Sequence, residues 1–332
     1  MALPAAYNVF KRIQCPIDHL VMQSVDNSQV IRRVTAWDTC MITWLLPTSV
    51  VQRLAHPRYE VEGIADHMEH GQLGFLTFVA SQNSVLDPSW SERFWEPKPQ
   101  PSASIRMTVV DRVHWQRTLW AIRSYSGSTT WGKIPKHVFG MDLNDQTAVT
   151  IDAKYNEGNQ QYDFYRLKIP HFKLDIGLED SGVGVLHPTN PIVPGFQDNE
   201  SALRILAMGR ETNFRGYGGM VYRQPFWASP AHPNVAKMSA DSTVDEFLKS
   251  EANVASLGPP VAAWVIRHVP EIKLYQVEAQ VEDENEPHSA SHYGDKSLSD
   301  RVQRKAMNRY FNFRDEVRDK AYSDIEGREI PR

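Results

Sequence analysis

The chain has 332 residues, of which 41% are hydrophobic and 23% charged. This composition is typical of a packed globular protein and excludes a disordered or fibrous chain. The 36 basic and 40 acidic side chains give a formal net charge of −4, so charge offers no reason to expect binding to nucleic acid or to an anionic membrane surface. Aromatic residues make up 10% of the chain, which favours a β-rich core or a roomy apolar pocket.

Two cysteines, Cys15 and Cys40, are too few for a disulfide scaffold, and neither belongs to a Cys-x-x-Cys pair. We expect both to be reduced structural thiols, with a disulfide between them as the alternative. The N-terminal residues lack an apolar core of signal-peptide length. The longest apolar stretch, 40–46, is far shorter than the roughly 18 residues that span a bilayer. These features predict a cytoplasmic protein with no membrane partner.

Residues 30–125 have the pattern of strands joined by turns. The segments 72–80 and 118–124 are short, rich in β-branched and aromatic residues, and bounded by polar residues. Segment 87–101 contains four prolines and two tryptophans, and it is predicted to be a loop because proline interrupts both ladders and helix interiors. A helix is predicted over 48–55.

The clearest local element is a β-hairpin. Residues 148–155 alternate in polarity, and residues 162–169 form the returning strand. The connecting residues 156–159, Asn-Glu-Gly-Asn, tolerate the positive φ angles of a tight turn. The residues expected on the buried face of the first strand are Val149, Ile151, Ala153 and Tyr155.

Residues 177–235 are rich in glycine and proline and are predicted to be long connections with a few strands. A helix is predicted over 242–251, with Asp241 or Ser242 as its N-cap. A last strand is predicted over 273–281.

The composition changes after this strand. Residues 282–285 are acidic, 287–294 are polar, and a charged helix is predicted over 298–324. Its apolar positions step by 4, 4, 3 and 4 residues and form one helical stripe, namely Val302, Ala306, Tyr310, Phe313 and Val317. We therefore predict one domain over 1–285 and a helical extension over 286–332. The extension is expected to dock on the body, with a dimerisation or lid helix as the alternative.

Two motif-like features are interpreted as structural, and one catalytic motif is absent. Segment 66–70, Asp-His-Met-Glu-His, has its histidines three apart, whereas the zinc-protease motif has them four apart, so no metal is expected. The glycine-rich segment 209–219 lacks the strand-to-helix setting and the phosphate-binding lysine of a nucleotide-binding loop. A turn, or a backbone close to a pocket, is the favoured interpretation. No Gly-x-Ser-x-Gly elbow is present, which leaves a serine hydrolase without support.

The most informative segment is 125–140, which lies between a predicted strand and the hairpin. Lys136 follows Pro135 directly and has His137 beside it, among the apolar residues Trp131, Ile134, Val138 and Phe139. Apolar surroundings and a cationic neighbour lower the pKa of a lysine, which makes its neutral amine available as a nucleophile. On the residues alone, a solvent-facing basic turn is the alternative.

The run 131–137, Trp-Gly-Lys-Ile-Pro-Lys-His, resembles the acetoacetate decarboxylase family. In that family a Gly-Arg-Glu-x-Trp-Gly-x-Pro-Lys-type segment carries the Schiff-base lysine immediately after its proline. The resemblance implies that Lys136 is the nucleophile and that His137 takes the place of the cationic neighbour that lowers the lysine pKa. Acetoacetate decarboxylase is itself the known example of an amine activated in this way.

The chain departs from the family pattern at two points. Ser128 and Thr129 stand where the family has Arg-Glu, and one extra residue precedes Pro135. The polar pair implies a substrate less anionic than acetoacetate. No motif fixes the family's active-site arginine and glutamate in this chain.

The resemblance implies an α+β fold that is mainly antiparallel β, an acetoacetate-decarboxylase-like cone or barrel with peripheral helices. It implies a lyase that decarboxylates a β-keto acid or polyketide-like carbonyl substrate through a lysine imine and needs no cofactor. It also implies a role in secondary metabolism and a homo-oligomer. The alternatives are a cyclase, aldolase or dehydratase that uses the same pocket for a larger metabolite, and a non-catalytic small-molecule-binding protein. The expected catalytic residues are Lys136 and His137, and the expected substrate-binding residues are Trp131, Ile134, Phe139, Ser128 and Thr129.

Overall fold

The computed structural model describes residues 30–66, 71–86, 99–126, 143–144, 148–206, 211–215, 221–252, 258–275 and 277–280. Three predicted features lie outside these residues. They are the part of the lysine segment from 127 to 140, the histidines of segment 66–70 and the C-terminal helix. None of the described helices is long and apolar enough to cross a membrane.

Strands dominate the described chain. The first eight are β1 (Val30–Pro47), β2 (Tyr59–Val61), β3 (Gly63–Asp66), β4 (Gly71–Val85), β5 (Gln100–Asp111), β6 (Gln116–Ser126), β7 (Leu143–Asn144) and β8 (Thr150–Asn156). The others are β9 (Gln161–Ile169), β10 (Leu174–Gly184), β11 (Glu211–Arg215), β12 (Val221–Ala228), β13 (Asn234–Met238), β14 (Ala262–Tyr275) and β15 (Glu278–Gln280). The helices are α1 (Thr48–Val51), α2 (Asn199–Leu206) and α3 (Asp245–Ala252), with 3₁₀ turns at Gln52–Leu54 and Pro170–Phe172.

The strand pairs close a ring. The strands follow the order β12, β11, β6, β5, β4, β1 and β14, and β12 pairs again with β14. Within this ring β6 and β11 are parallel and the other pairs are antiparallel. From β14 the sheet continues through β13, β10, β9 and β8. The predicted mainly antiparallel β fold with a few short helices is confirmed.

The larger apolar core lies between β1, β4 and β5 on one side and β8, β9 and β10 on the other. Period-2 alternation directs Ile42, Phe78 and Ile105 into this core from the first group, and Leu167 and Ile176 meet them from the second. Each of the five side chains is at most 1% exposed. Burial of a side chain of this size contributes about 1.5–3 kcal/mol, so this core holds the hairpin strands against the ring.

The predicted hairpin is confirmed, since β8 and β9 pair antiparallel and the predicted face of β8 is its less exposed face. The predicted helix over 48–55 is present as α1 followed by a 3₁₀ turn. The predicted loop over 87–101 is wrong at its C-terminal end. Strand β5 begins at Gln100, and Pro101 within it pairs with Gln82 of β4.

The predicted N-cap of α3 is wrong. Thr243 exchanges two backbone hydrogen bonds with Asp175, at 2.7 and 3.0 Å, and the Ser242 hydroxyl accepts a hydrogen bond from the amide of Gly177 at 3.1 Å. These contacts hold residues 242–243 against β10, so the helix begins only at Asp245.

Two further elements differ from the predictions. Helix α2 lies inside the region predicted to be connections and strands, and its first turn is capped by Asp198, whose Oδ1 accepts a hydrogen bond from the Ser201 amide at 2.7 Å. The strand predicted over 273–281 is divided between two elements. Its first part is the end of β14, which stops at Tyr275, and its second part is the separate strand β15, which pairs with β12.

Gly74 allows α1 and β2 to approach β4 closely. A Cβ atom at Gly74 would lie 2.5 Å from Cγ1 of Val61, a buried β-branched residue with little freedom to move. We expect Gly74→Ala to lower the free energy of unfolding by about 1–3 kcal/mol through overpacking, as measured by urea denaturation. Gly184→Ala is the matched control, because its nearest atom would lie 4.0 Å away. An equal effect of the two substitutions would contradict the packing argument.

Candidate functional site

An unusual backbone position lies inside β1. Asp38 has a φ of 47°, and among the described non-glycine residues with positive φ it alone lies in a strand. The register of β1 against β4 shifts between Trp37 and Cys40, so Asp38 lies on a β-bulge. Since strained residues of this kind cluster at functional sites, the surroundings of Asp38 form the candidate site.

Asp38 is 9% exposed and is held by side chains from three other strands. Its Oδ1 accepts hydrogen bonds from the Tyr162 hydroxyl at 2.9 Å and from Nη1 of Arg267 at 2.7 Å. Its Oδ2 accepts one from the Gln82 amide at 3.2 Å, and its carbonyl oxygen accepts one from the Tyr165 hydroxyl at 2.6 Å. We name these five residues the Asp38 cluster.

Burial sets the protonation of the hydroxyl and thiol groups here. Burial raises the pKa of Tyr162 above its usual value, and the neighbouring Asp38 carboxylate raises it further. Burial likewise raises the pKa of Tyr165 well above its usual value. Both tyrosines are therefore neutral donors at physiological pH. Burial also raises the pKa of the Cys40 thiol to about 11, which makes Cys40 an unreactive free thiol, as the sequence predicts.

Arg267 is the cation of the cluster. Its Cζ lies 5.2 Å from the centroid of the Trp37 ring and 5.0 Å from that of Tyr155, so the guanidinium makes cation–π contacts with two aromatic rings. Trp37 is in turn stacked on His268, with 3.7 Å between the ring centroids. Burial lowers the pKa of Arg267, but Asp38, Tyr162 and Glu157 together outweigh burial and the pKa is raised overall. The cluster thus holds an ion pair between Arg267 and Asp38 at the border of the larger core.

The seven predicted site residues all lie outside the described residues, so they stay predictions. These residues are Lys136, His137, Trp131, Ile134, Phe139, Ser128 and Thr129. The structure does place both ends of the segment that carries them. Strand β6 ends at Ser126, and β7 pairs in parallel with β6 at positions 124 and 125. Segment 127–142 therefore leaves and returns at one place on the sheet.

The end of β6 shares a row of the sheet with the bulge. Ser126 pairs with Ser102, and Ser102 pairs with Ser81. Ser81 lies opposite the bulge residues between Trp37 and Cys40. Three strand spacings of about 4.8 Å separate β6 from β1, or roughly 14 Å along the sheet.

The adjacent row of the sheet, one residue back along β6, ends at Tyr125, just before the lysine segment. Tyr125 is 1% exposed and lies 5.6 Å from both Phe172 and Phe247, measured between ring centroids. Its row passes through three small buried residues of the larger core, namely Ala103, Ala80 and Cys40. Strand β6 therefore ends at an apolar, aromatic wall of the core to which Tyr162 and Tyr165 of the Asp38 cluster also belong.

Sequence reasoning missed Asp38, Gln82 and Arg267 as site residues. The only available signal was Asp38 itself, the one charged residue inside segment 34–46. In the described part of the chain, no three His, Cys, Asp or Glu side chains are grouped as metal ligands.

The cluster predicts different effects of two substitutions at Asp38. Asp38→Ala removes the acceptor of three side-chain donors and places alanine at a positive φ, so we expect the free energy of unfolding to fall by about 2–4 kcal/mol. Asp38→Asn keeps one acceptor oxygen and a residue that tolerates this conformation, so its loss should be roughly half as large. Urea denaturation measures both variants. Equal losses would contradict this expectation, because only asparagine keeps an acceptor oxygen and tolerates the positive φ.

No protein-family model matches the chain, and no curated protein matches it. Among solved structures, it is similar to an acetoacetate decarboxylase-like enzyme from Sphingomonas wittichii RW1, with 10% identity, a TM-score of 0.49, and 76% of this chain and 93% of that chain covered. It is also similar to the enduracididine biosynthesis enzyme MppR complexed with pyruvate, with 10% identity, a TM-score of 0.47, and 75% and 90% covered. For acetoacetate decarboxylase from Legionella pneumophila the identity is 8%, the TM-score 0.43, and the covered shares 75% and 87%. The resemblance that the sequence predicts is thus also found among solved structures, and it assigns no reaction, ligand or residue role to this chain.

Proposed function

We propose that the chain is a Schiff-base lyase that acts on a β-keto acid or a related carbonyl compound, with Lys136 as its nucleophile. The observation that carries the proposal is the run 131–137, in which Lys136 follows Pro135 and precedes His137. The described structure supports it, because the segment that contains this run leaves β6 beside the buried Tyr125 and from the same core as the Asp38 cluster.

The reaction proceeds through an imine. The neutral amine of Lys136 adds to the ketone carbon, and loss of water leaves a protonated imine. When the bond to the carboxylate carbon breaks, its electron pair moves into the imine, CO₂ leaves, and an enamine forms. Protonation of the enamine carbon followed by hydrolysis returns the ketone product and the free lysine. The iminium is the electron sink, so this chemistry requires no metal or organic cofactor.

The loop residues have distinct proposed roles. Trp131, Ile134 and Phe139 form an apolar wall that disfavours the charged form of the lysine. His137 lowers the lysine pKa or transfers a proton, as an imidazole side chain can at physiological pH. Ser128 and Thr129 offer hydroxyl groups to the polar part of the substrate.

Borohydride trapping tests the imine. The protein is incubated with acetoacetate and, separately, with a larger aromatic β-keto acid, then reduced, digested and mapped by mass. We expect a stoichiometric adduct on Lys136, because reduction fixes the imine as a stable secondary amine. A folded sample that gives no adduct with either compound would overturn the proposal and favour imine-free cyclisation or simple binding.

Two lysines in the same loop allow a matched comparison. Lys136→Ala should abolish turnover without changing thermal unfolding, because it removes only the nucleophile. Lys133→Ala should retain turnover, because it removes a similar charge three positions earlier in the chain. Equal loss of turnover in both variants, with wild-type unfolding, would show that Lys136 is not the nucleophile.

A further inference from the structure

A mainly apolar cavity of about 430 Å³ lies beside β13 and the start of β14. Its lining comes from segments 185–199, 235–242 and 258–264, which we name the cavity face. Val185, Val193 and Trp264 of the lining are each at most 5% exposed and belong to a second apolar core, which α2 covers. The volume is within the range of protein binding sites, roughly 300–1,000 Å³.

Two large apolar side chains lie at the rim of this cavity and face solvent. Leu186 and Ile192 are each 54% exposed, and neither lines the cavity, although Val185, Pro191 and Val193 beside them do. Neither side chain therefore fills the cavity of its own chain. Single exposed apolar residues are common on protein surfaces, but apolar residues grouped around an apolar cavity are typical of an interaction site.

Hydrogen bonds and prolines fix the segment that carries these two side chains. The amide nitrogen of the Asn199 side chain donates to the carbonyl oxygens of Val185 at 3.3 Å and Pro191 at 3.1 Å. Its Oδ1 accepts a hydrogen bond from the amide of Val193 at 3.1 Å. Prolines at positions 188, 191 and 194 restrict the backbone further. The exposed side chains are therefore pre-organised, so docking against them loses little conformational entropy.

Charge is depleted from the centre of the cavity face. Segments 185–197 and 258–266 contain no Asp, Glu, Lys or Arg, although 23% of the whole chain is charged. Among the described residues that line the cavity, Lys237 alone is charged, and it is exposed. An uncharged centre is typical of a protein–protein interface. It suits self-association in particular, because a two-fold axis brings residues near it close to their own copies, where like charges would repel.

The cavity face also has the size that a stable dimer needs. Its exposed or half-buried residues number 13 in 185–199, seven in 235–242 and four in 258–264. An interface of standard size takes roughly 20–30 residues from each partner.

We infer that the cavity face binds a second copy of this chain across a two-fold axis, with Ile192 of each copy seated in the cavity of the other. An isologous contact needs one face that supplies both the inserted side chain and the cavity that receives it. Segment 185–193 supplies both, because Val185 and Val193 line the cavity while Leu186 and Ile192 face outward. The contact does not depend on Lys136 or on the reaction proposed for it.

Analytical ultracentrifugation of the full chain tests the interface. We expect the wild type to form dimers, or larger assemblies built from them. Ile192→Asp should raise the dissociation constant of the dimer by about tenfold or more, because a carboxylate in an apolar cavity loses its hydration without gaining a partner. Val113→Asp is the matched control, since Val113 is 44% exposed on the turn between β5 and β6, and it should associate like the wild type.

Two results would overturn the inference: association that is the same in Ile192→Asp as in the wild type, and a wild type that is monomeric. For a monomer, thermal unfolding and the apolar dye ANS identify the other occupants. A lower unfolding temperature of Ile192→Asp would assign the face to another segment of the same chain, whereas unchanged unfolding with dye bound to the wild type would assign the cavity to a small apolar ligand. If Ile192→Asp does not fold, Leu186→Asp replaces it, and the same change in dissociation constant decides.

Discussion

The bulge at Asp38 is the constraint on which the arrangement of the larger core depends. A non-glycine residue at positive φ costs of order 1–3 kcal/mol, and it persists only where the surroundings over-determine it. Here the four partners of Asp38 are 44, 124, 127 and 229 residues away in the chain. The bulge is therefore stable only once the ring has closed and the hairpin has packed against it. The same hydrogen bonds that offset the strain hold the hairpin strand β9 on β1.

Arg267 belongs to a strand that several parts of the sheet share. β14 pairs with β1 and β12 within the ring and with β13, the first strand of the sheet beyond the ring. Arg267 lies between the part of β14 paired with β13, at 264–265, and the part paired with β12, at 272–274, so both flanks of its strand are held in the sheet and its position is better defined than that of a loop residue. Tyr155 and Tyr162 come from the opposing hairpin. Side chains from β1, β8 and β9 thus meet the guanidinium of Arg267 on β14, which explains how a single cation keeps a fixed orientation at the border of an apolar core.

The parts of this structure that sequence could predict are those with local causes. The hairpin follows from alternation over eight residues and a turn that tolerates positive φ, and α1 follows from a short apolar face after Pro47. The lysine run could be identified because its residues are contiguous. The Asp38 cluster could not, since its members are dispersed along the chain and aspartate is locally unfavourable in a strand. The start of α3 was wrong for a related reason: Thr243 pairs with Asp175, a contact that no local pattern indicates.

The Asp38 cluster and the end of β6 lie in one row of the sheet. In this row Arg267 is ion-paired with Asp38 across β14 and β1. Three strand spacings separate the bulge from the end of β6, or roughly 14 Å along the sheet. The spacing is set by the register of the pairs β1–β4, β4–β5 and β5–β6, and a shift of one residue in any of them would turn the side chains of that strand to the other face. The position of the bulge relative to the end of β6 is therefore a property of the whole ring, not of any local segment.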